Sequence, residues 1–419
     1  MLRVTRAVET PTASREQARR RAVPVLVGSQ VLGGVGVASG IAVGGLLAEQ
    51  VSGSTALSGL AQTATVLGAA GLAVPMARLA AARGRRPALA TGYALGLAGA
   101  GLVVLAAVLG SFVLLVAGLL LVGGATASGL QARYAATDAA TPATRGRSLS
   151  TVVWATTAGA VLGPNLSGVG GRLGEAVGVT PLAGPFLLAG AAFAAGAVLV
   201  WVLLRPDPLV VAGPGAPTGP RPSLRTTLGV VWGLPAARLG LVAIATSHAV
   251  MVGVMVMTPV HLGHGGASLQ LVGLVISVHV AGMYAASPVM GWLADRFGRV
   301  PTLGLGVGLL AVALLVGGLA PAEAHGWVTV SMLLLGLGWS AGLVAGSTLL
   351  SESVPAEVRT PVQGSSDLVM GLAGATAGAL AGPVLSAGGY GTVAVAAGVL
   401  LVPLAVLLLK GAHVTSPGS

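Results

Sequence analysis

The sequence predicts an all-α membrane protein with twelve transmembrane helices in two six-helix bundles that are related by a pseudo-two-fold axis. Three observations lead to this prediction. Of the 419 residues, 54% are hydrophobic and only 8% are charged, a balance that a soluble domain does not need to build one core. Apolar runs of about 20 residues, the helix length that crosses bilayer hydrocarbon, recur along the chain. The second half of the chain also repeats the first half at a fixed offset.

The apolar runs divide into six spans on each side of a linker rich in Pro and Gly. In the first half the predicted spans are 22–48, 54–78, 87–110, 112–134, 148–171 and 181–204. In the second half they are 236–262, 268–293, 301–320, 327–351, 361–385 and 389–410. The predicted organisation is a tail over residues 1–21, a bundle over 22–204, a linker over 205–235, a bundle over 236–410 and a tail over 411–419.

The placement of basic residues predicts that both termini are cytoplasmic. Lys and Arg are retained on the cytoplasmic side, and with the N-terminus inside only Arg172 of the 22 basic residues falls outside. The net charge of +11 is spread over internal loops, which disfavours nucleic acid as a partner and favours contact with anionic lipid headgroups. Residues 1–21 carry charge without an apolar core, so we expect a cytoplasmic tail rather than a cleavable signal. The expected location is the bacterial cytoplasmic (inner) membrane.

The internal repeat has an offset of 214 residues. It aligns Gly84-Arg85 with Gly298-Arg299 and Asp138 with Glu352. Two parallel repeats of six spans, related by an axis along the membrane normal, are the arrangement of the two halves of major facilitator transporters.

The loop after the eighth span resembles the signature loop of the major facilitator superfamily, G-x-L-A-D-R-x-G-R. It runs from Gly291 to Arg299 as G-W-L-A-D-R-F-G-R. Glycine permits a tight turn, and a carboxylate here can bind and release partners as the halves move. We therefore assign conformational gating to a set within this loop: Gly291, Asp295, Arg296, Gly298 and Arg299. Ala81 replaces the acid in the first-half copy of the loop.

A cluster of potential metal ligands lies in the seventh and eighth spans. Four of the six histidines and five of the nine methionines fall between residues 248 and 290. Met251 and Met255 are four residues apart, as are His279 and Met283, so each pair shares one helix face. Counted from outer ends near residues 262 and 268, Met251 and His279 are both 11 residues deep. With His248 one turn before Met251, two neighbouring antiparallel helices would bring these side chains together near mid-membrane.

The ligand types favour a soft cation. Thioether and imidazole suit Cu(I), whereas Mg²⁺ and Ca²⁺ need carboxylate oxygens, and the absence of cysteine rules out thiolate sites. The repeat places apolar or weakly polar residues at the equivalent first-half positions: Val37, Ile41, Thr65 and Ala69. Methionine also packs well in apolar cores, but an imidazole at mid-membrane is costly without a partner and indicates function.

The stretches 247–251 and 277–288 resemble the bacterial copper importers of the major facilitator superfamily, the CcoA-like or CalT family. In that family M-x-x-x-M and H-x-x-x-M motifs on the seventh and eighth spans are required for copper uptake. The resemblance therefore implies copper, as an ion or a complex, as the transported substrate, with Met251, Met255, His279 and Met283 as ligands beside His248. It extends to about residue 301. A relative that keeps the motifs but carries another metal or a metal chelate remains an alternative.

Further site predictions concern polar residues elsewhere. His261 and His264, in the outer loop between the same two spans, could collect metal at the entrance. Four residues could line a polar cavity in the first half: Gln30, Gln62, Gln131 and Asn165. We expect no enzyme activity and no cofactor, because the sequence has no readable catalytic set or phosphate loop. A monomer is expected.

The alternative function is proton-coupled efflux of hydrophobic drugs or other small molecules. Such a protein commonly needs a membrane-embedded acid to carry the proton. Asp367, about six residues into the eleventh predicted span, is the only inward candidate. A metal sensor is disfavoured, because no soluble output domain is expected after the last span.

Overall fold

The computed structural model describes residues 11–138, 145–212, 224–355 and 358–414, which are nearly all helical. Residues 1–10, 213–223 and 415–419 of the predicted tails and linker lie outside the described residues. The first half contains α1 (Pro11–Ser52), α2 (Leu60–Arg83), α3 (Arg85–Leu109), α4 (Phe112–Asp138), α5 (Arg145–Asn165), α6 (Ser167–Ala176) and α7 (Gly184–Leu203). Two short linker helices follow, α8 (Pro208–Ala212) and α9 (Leu224–Gly233). The second half contains α10 (Pro235–His264), α11 (Leu269–Tyr284), α12 (Ser287–Phe297), α13 (Arg299–Leu319), α14 (His325–Glu352) and α15 (Arg359–Val414).

These helices form the predicted twelve spans. Within the described ranges, ten helical segments are long and apolar enough to cross a membrane. The last of them, in α15, holds two spans, because Gly389 breaks it with a φ of 77°. The fifth span, α5 with α6, is less apolar than the others because it carries Thr151, Thr156, Thr157 and Asn165. An even number of spans places both ends of the chain at one membrane face, which we call the terminal face.

The predicted repeat is present in three dimensions. Gly84 and Gly298 form the same turn, with φ/ψ of 98°/172° and 100°/160°. After each turn an arginine binds the acid at the end of the bundle's fourth span: Arg85 Nε lies 2.7 Å from Asp138, and Arg299 Nη2 lies 2.8 Å from Glu352. The 214-residue offset therefore relates equivalent contacts in both bundles.

The contacts between the bundles lie in the half of the molecule opposite the terminal face. A Cβ added at Gly59 would collide with the backbone of Gly378, and one at Gly273 with the carbonyl of Pro164. The Asn165 amide donates to Ser277 Oγ over 2.7 Å, and Ser277 donates to the Val161 carbonyl over 2.9 Å. Five side-chain hydrogen bonds between the bundles belong to this half. The structure is thus closed at the opposite face.

The Gly298 turn gives a test of the fold. We expect Gly298→Ala to lower the thermal unfolding temperature in detergent, because its backbone conformation is one that only glycine adopts without about 1–3 kcal/mol of strain. Space is not the reason, since a Cβ there would meet only Pro301, at 3.5 Å. Gly101→Ala is the control, because Gly101 is in the exposed middle of α3 with open space around it. An equal effect of the two substitutions would contradict the strain argument.

Candidate substrate site

Helix α14 is the element that gathers the predicted ligands. Both α10 and α11 pack against it, and they scarcely touch each other. On α10, Ser247 contacts Gly342 of α14, and Thr258 Oγ1 lies 3.2 Å from Met332 Sδ. Met251 is one turn after Ser247 and two turns before Thr258, so it shares the stripe of α10 that faces α14. Met255, Met251 and Met283 all belong to the buried cluster around α14.

His279 is fully buried and bound at only one of its two nitrogens. Its Nδ1 lies 2.8 Å from the carbonyl oxygen of Met332 on α14. Because a carbonyl can only accept, Nδ1 carries the proton and Nε2 carries the lone pair in a neutral ring. His279 Nε2 is buried and has no hydrogen-bond partner, and the residue is 0% exposed. Backbone fixation of Nδ1 is the usual way in which a protein presents imidazole Nε2 to a metal.

His248 is held in the opposite tautomer. Its Nδ1 accepts a hydrogen bond of 3.0 Å from Trp339 Nε1, which can only donate. The neutral ring therefore carries its proton on Nε2, which points at Gly374 of α15. Tyr284 stacks edge-on against Trp339, with ring centroids 5.6 Å apart. His248 thus belongs to an aromatic group at the partly exposed side of α10, and its lone pair is already used.

The structure shifts the predicted depth pairing of the two motifs. His279 and Thr258 both contact Met332, so His279 lies at the level of Thr258 and about 10 Å, seven residues of helix, from the level of Met251. The helix ends explain part of this shift, about 4.5 Å, because α10 continues two residues past 262, to His264, and α11 begins one residue after 268, at Leu269. The rest comes from the way in which both helices pack against α14. Met255 is consequently nearer than Met251 to the level of His279.

The methionines of the two motifs are almost completely buried. Met251, Met255 and Met283 are 2%, 7% and 6% exposed.

Sequence reasoning missed Met332 and Trp339, which contact the two histidines from α14. The motif spacing on α10 and α11 holds no information about a helix some 50 residues further along the chain. Within the described part of the chain, no three His, Cys, Asp or Glu side chains converge on one point.

The two outer histidines have separate partners. His261 stacks on Tyr390 with centroids 4.2 Å apart, and its buried Nε2 has no hydrogen-bond partner. His264 Nε2 lies 3.0 Å from Glu49 of the first bundle. In this conformation they do not converge, and their role as a metal entrance stays a prediction.

The four predicted cavity residues join helices in different places. Gln30 donates to Thr156 over 2.9 Å, and Gln131 accepts from Arg85 over 2.7 Å. Asn165 joins the bundles through Ser277. Gln62 lines a small cavity between α1 and α2. Three of the four amides therefore bind a side chain on another helix.

The signature loop lies at the terminal face. Asp295, 76% exposed, lies 3.2 Å from Arg299, which also binds Glu352. Arg296 lies over the rings of Trp292 and Phe297, at 6.0 and 5.8 Å from their centroids. Gly291 is in α12, and Gly298 forms the turn into α13. The loop contains no contact to the buried ligands, which is compatible with a gating role.

Two six-helix bundles that are joined at one membrane face define the class of secondary transporters that work by alternating access. The chain belongs to the Major Facilitator Superfamily, whose family model matches residues 25–267 and 261–419. It is a transporter of small substrates in the membrane, not an enzyme.

Two sequence relatives and one solved structure are similar to this chain. It is 38% identical over 393 residues to the uncharacterized MFS-type transporter YdeG of Bacillus subtilis (strain 168), covering 92% of this chain and 91% of that protein. It is 30% identical over 382 residues to the riboflavin transporter RfnT of Brucella anthropi, covering 90% and 92%. The fold matches a bacterial homologue of the human lysosomal transporter Spinster in an inward-facing, unoccupied conformation, with a TM-score of 0.75, 17% identity, and coverage of 94% and 97%.

The exposed position of Asp295 gives a test of the gating assignment. We expect Asp295→Asn to slow transport and to leave substrate affinity unchanged, because Asp295 is roughly 24 Å of helical rise from His279. Glu175→Gln, at an exposed acid of α6, is the matched control. Transport rate and equilibrium binding are measured on the same purified protein. A loss of binding with unchanged turnover per bound substrate would assign Asp295 to the substrate site instead.

Proposed function

We propose that the protein transports copper across the bacterial cytoplasmic membrane, inward, through a site of His279, Met283, Met251 and Met255 against α14. The observation that carries this proposal is His279, whose Nε2 is buried and unpartnered while Nδ1 is fixed by a backbone carbonyl. A buried acceptor without a partner costs about 1–3 kcal/mol. A bound cation would recover this free energy.

The surroundings of His279 favour a soft cation over a hard one. Met283 is one helical turn away on the same face, and the buried cluster around α14 also contains Met251, Met255 and Met332. Thioethers are neutral, bind without proton competition and match Cu(I). The absence of a converging carboxylate set among the described residues disfavours Mg²⁺ and Ca²⁺.

All of the proposed ligands belong to the second bundle. A rigid-body motion of the first bundle would therefore change access to the site without changing the ligand set. The substrate would therefore keep the same ligands while access to the site changes. A transport site must also bind its substrate firmly enough for entry and weakly enough for release. His248 is assigned a neighbouring role, because a bond from Trp339 occupies its lone pair.

Paired Met→Leu substitutions test the proposal. Leucine has nearly the volume of methionine, so a packing role predicts little change, whereas a ligand role predicts loss of copper uptake. We expect Met251→Leu with Met283→Leu to lower uptake of radioactive copper at least about tenfold, since removal of ligand atoms costs more than 1.4 kcal/mol. His279→Ala should do the same.

The control is Met76→Leu with Met290→Leu, two buried methionines at equivalent positions of the repeat and outside the motifs. Binding of Cu(I) to purified protein, in competition with a chelator, separates loss of the site from loss of turnover. Normal copper uptake in the Met251→Leu, Met283→Leu protein would sink the copper proposal.

A planar heterocyclic compound is the second candidate substrate. Its support is the similarity to a riboflavin transporter together with the aromatic group of His248, Trp339 and Tyr284, whose neighbouring ring centroids are 6.1 and 5.6 Å apart. Aromatic faces of this kind stack on flat rings.

Uptake of riboflavin by the same cells tests this second candidate. If a heterocycle is the substrate, Trp339→Leu should abolish uptake and the double Met→Leu protein should retain it. If copper is the substrate, the double Met→Leu protein should instead lose uptake. Riboflavin uptake no higher than in cells that lack the protein would exclude the heterocycle as substrate.

A further inference from the structure

A cavity in the first bundle lies where the repeat places the equivalents of the proposed metal ligands. Its wall comes from α1, α2, α4 and α7, and Val256 of α10 covers it from the second bundle. Three residues of the wall are the repeat equivalents of Met251, Met255 and His279, namely Val37, Ile41 and Thr65. At one equivalent place the second bundle therefore has potential ligands and the first bundle has space.

Glycine on α1 creates this space. Gly40 and Gly44 line the cavity, whereas the equivalent positions of α10 hold Val254 and Thr258, which are both buried. A Cβ at Gly44 would meet only the Cβ of Ala61, at 3.5 Å, which is an ordinary van der Waals contact. Close helix packing therefore does not require glycine at position 44, and its effect is to keep the cavity open.

Gln62 supplies the polar group of the cavity. Its side chain is half-buried and forms no hydrogen bond with any residue that the structure describes, unlike the other three predicted cavity amides. The second polar side chain of the wall, Thr65, already donates to the Ala61 carbonyl over 3.2 Å. An amide has two N–H donors and a carbonyl acceptor, so Gln62 can bind a polar atom of a ligand in an otherwise apolar cavity.

The cavity lies at the membrane level of His279. Val256 is two residues, or about 3 Å of helical rise, from Thr258, and Thr258 shares the level of His279 because both contact Met332. With Val256 in place, the cavity has room for about one water molecule. Separation of α10 from α1 as the opposite face opens would withdraw Val256 and join the cavity to the space between the bundles.

We infer that this cavity receives an organic group of the substrate, with Gln62 bonded to a polar atom of that group. The inference rests on the proposed function and narrows it. The transported copper is a chelate with a compact, largely apolar ligand that has a hydrogen-bonding oxygen or nitrogen. The second bundle binds the metal and the first bundle binds the chelator, whereas a bare ion needs neither the apolar wall nor the amide.

Binding of two copper probes to the purified protein in lipid nanodiscs tests the inference. The probes are Cu(I) ions and the 1:1 complex of Cu(I) with 8-hydroxyquinoline, which has an apolar ring system and an oxygen that accepts hydrogen bonds. We expect Gln62→Leu to weaken binding of the complex about fivefold, the value of one hydrogen bond. Gly44→Val, which fills the cavity, should weaken it by at least as much. Neither substitution should change the affinity for Cu(I) ions.

Gly101→Val, at the exposed glycine of α3 with open space around it, is the control for valine in a span and should bind both probes normally. The thermal unfolding temperature shows whether Gly44→Val is folded, and Gln62→Leu decides the question if it is not. Equal affinity of the parent protein and the cavity variants for the complex, or a parent protein that binds Cu(I) and not the complex, would overturn this inference alone. A parent protein that binds neither probe would overturn the copper proposal together with it.

Discussion

Close backbone contact at glycine is the constraint on which the rest of this structure depends. Lipid provides no hydrophobic force between helices, so spans associate through van der Waals packing of small residues. Inside the first bundle, a Cβ at Gly68 would collide with the backbone of Leu120, and one at Gly99 would meet the backbone of α4 near Gly118. The same device joins the bundles at Gly59 and Gly273. Contacts without interlocking side chains can hold two bundles together and still separate in transport.

The buried histidine follows from this packing. A Cβ at Gly336 of α14 would collide with the carbonyl oxygen of His279, so glycine lets α11 approach α14 closely enough for Nδ1 to reach the Met332 carbonyl at 2.8 Å. The bond fixes the tautomer and leaves Nε2 free. A small residue on one helix therefore determines the chemistry that an imidazole on another helix can offer.

Local and repeated features of this protein could be predicted from its sequence, whereas contacts between distant segments could not. The turn at Gly298 follows from a loop motif, and the fixed offset aligns the residues that form the two arginine–acid pairs, although the pairing itself was not predicted. The predicted register of α10 against α11 is wrong by about two turns. The helix ends contribute less than one turn to this difference, and the remainder arises because both helices are aligned by α14 rather than by each other. Sequence pattern also treated His248 and His279 alike, although Trp339 and Met332 place them in opposite tautomers.

The linker compensates for the one irregularity between the two signature loops. The first-half loop has Ala81 where the second has Asp295. An acid of the linker nevertheless lies at the start of α3, where Asp207 accepts hydrogen bonds from the backbone N–H groups of Arg85 and Arg86 at 3.1 and 2.8 Å. Carboxylates stabilise helix N-termini through the helix dipole and the free N–H groups. In the first half this acid comes from the linker and binds the backbone, whereas Asp295 remains 76% exposed. Only the second loop therefore has a carboxylate that can exchange partners as the bundles move.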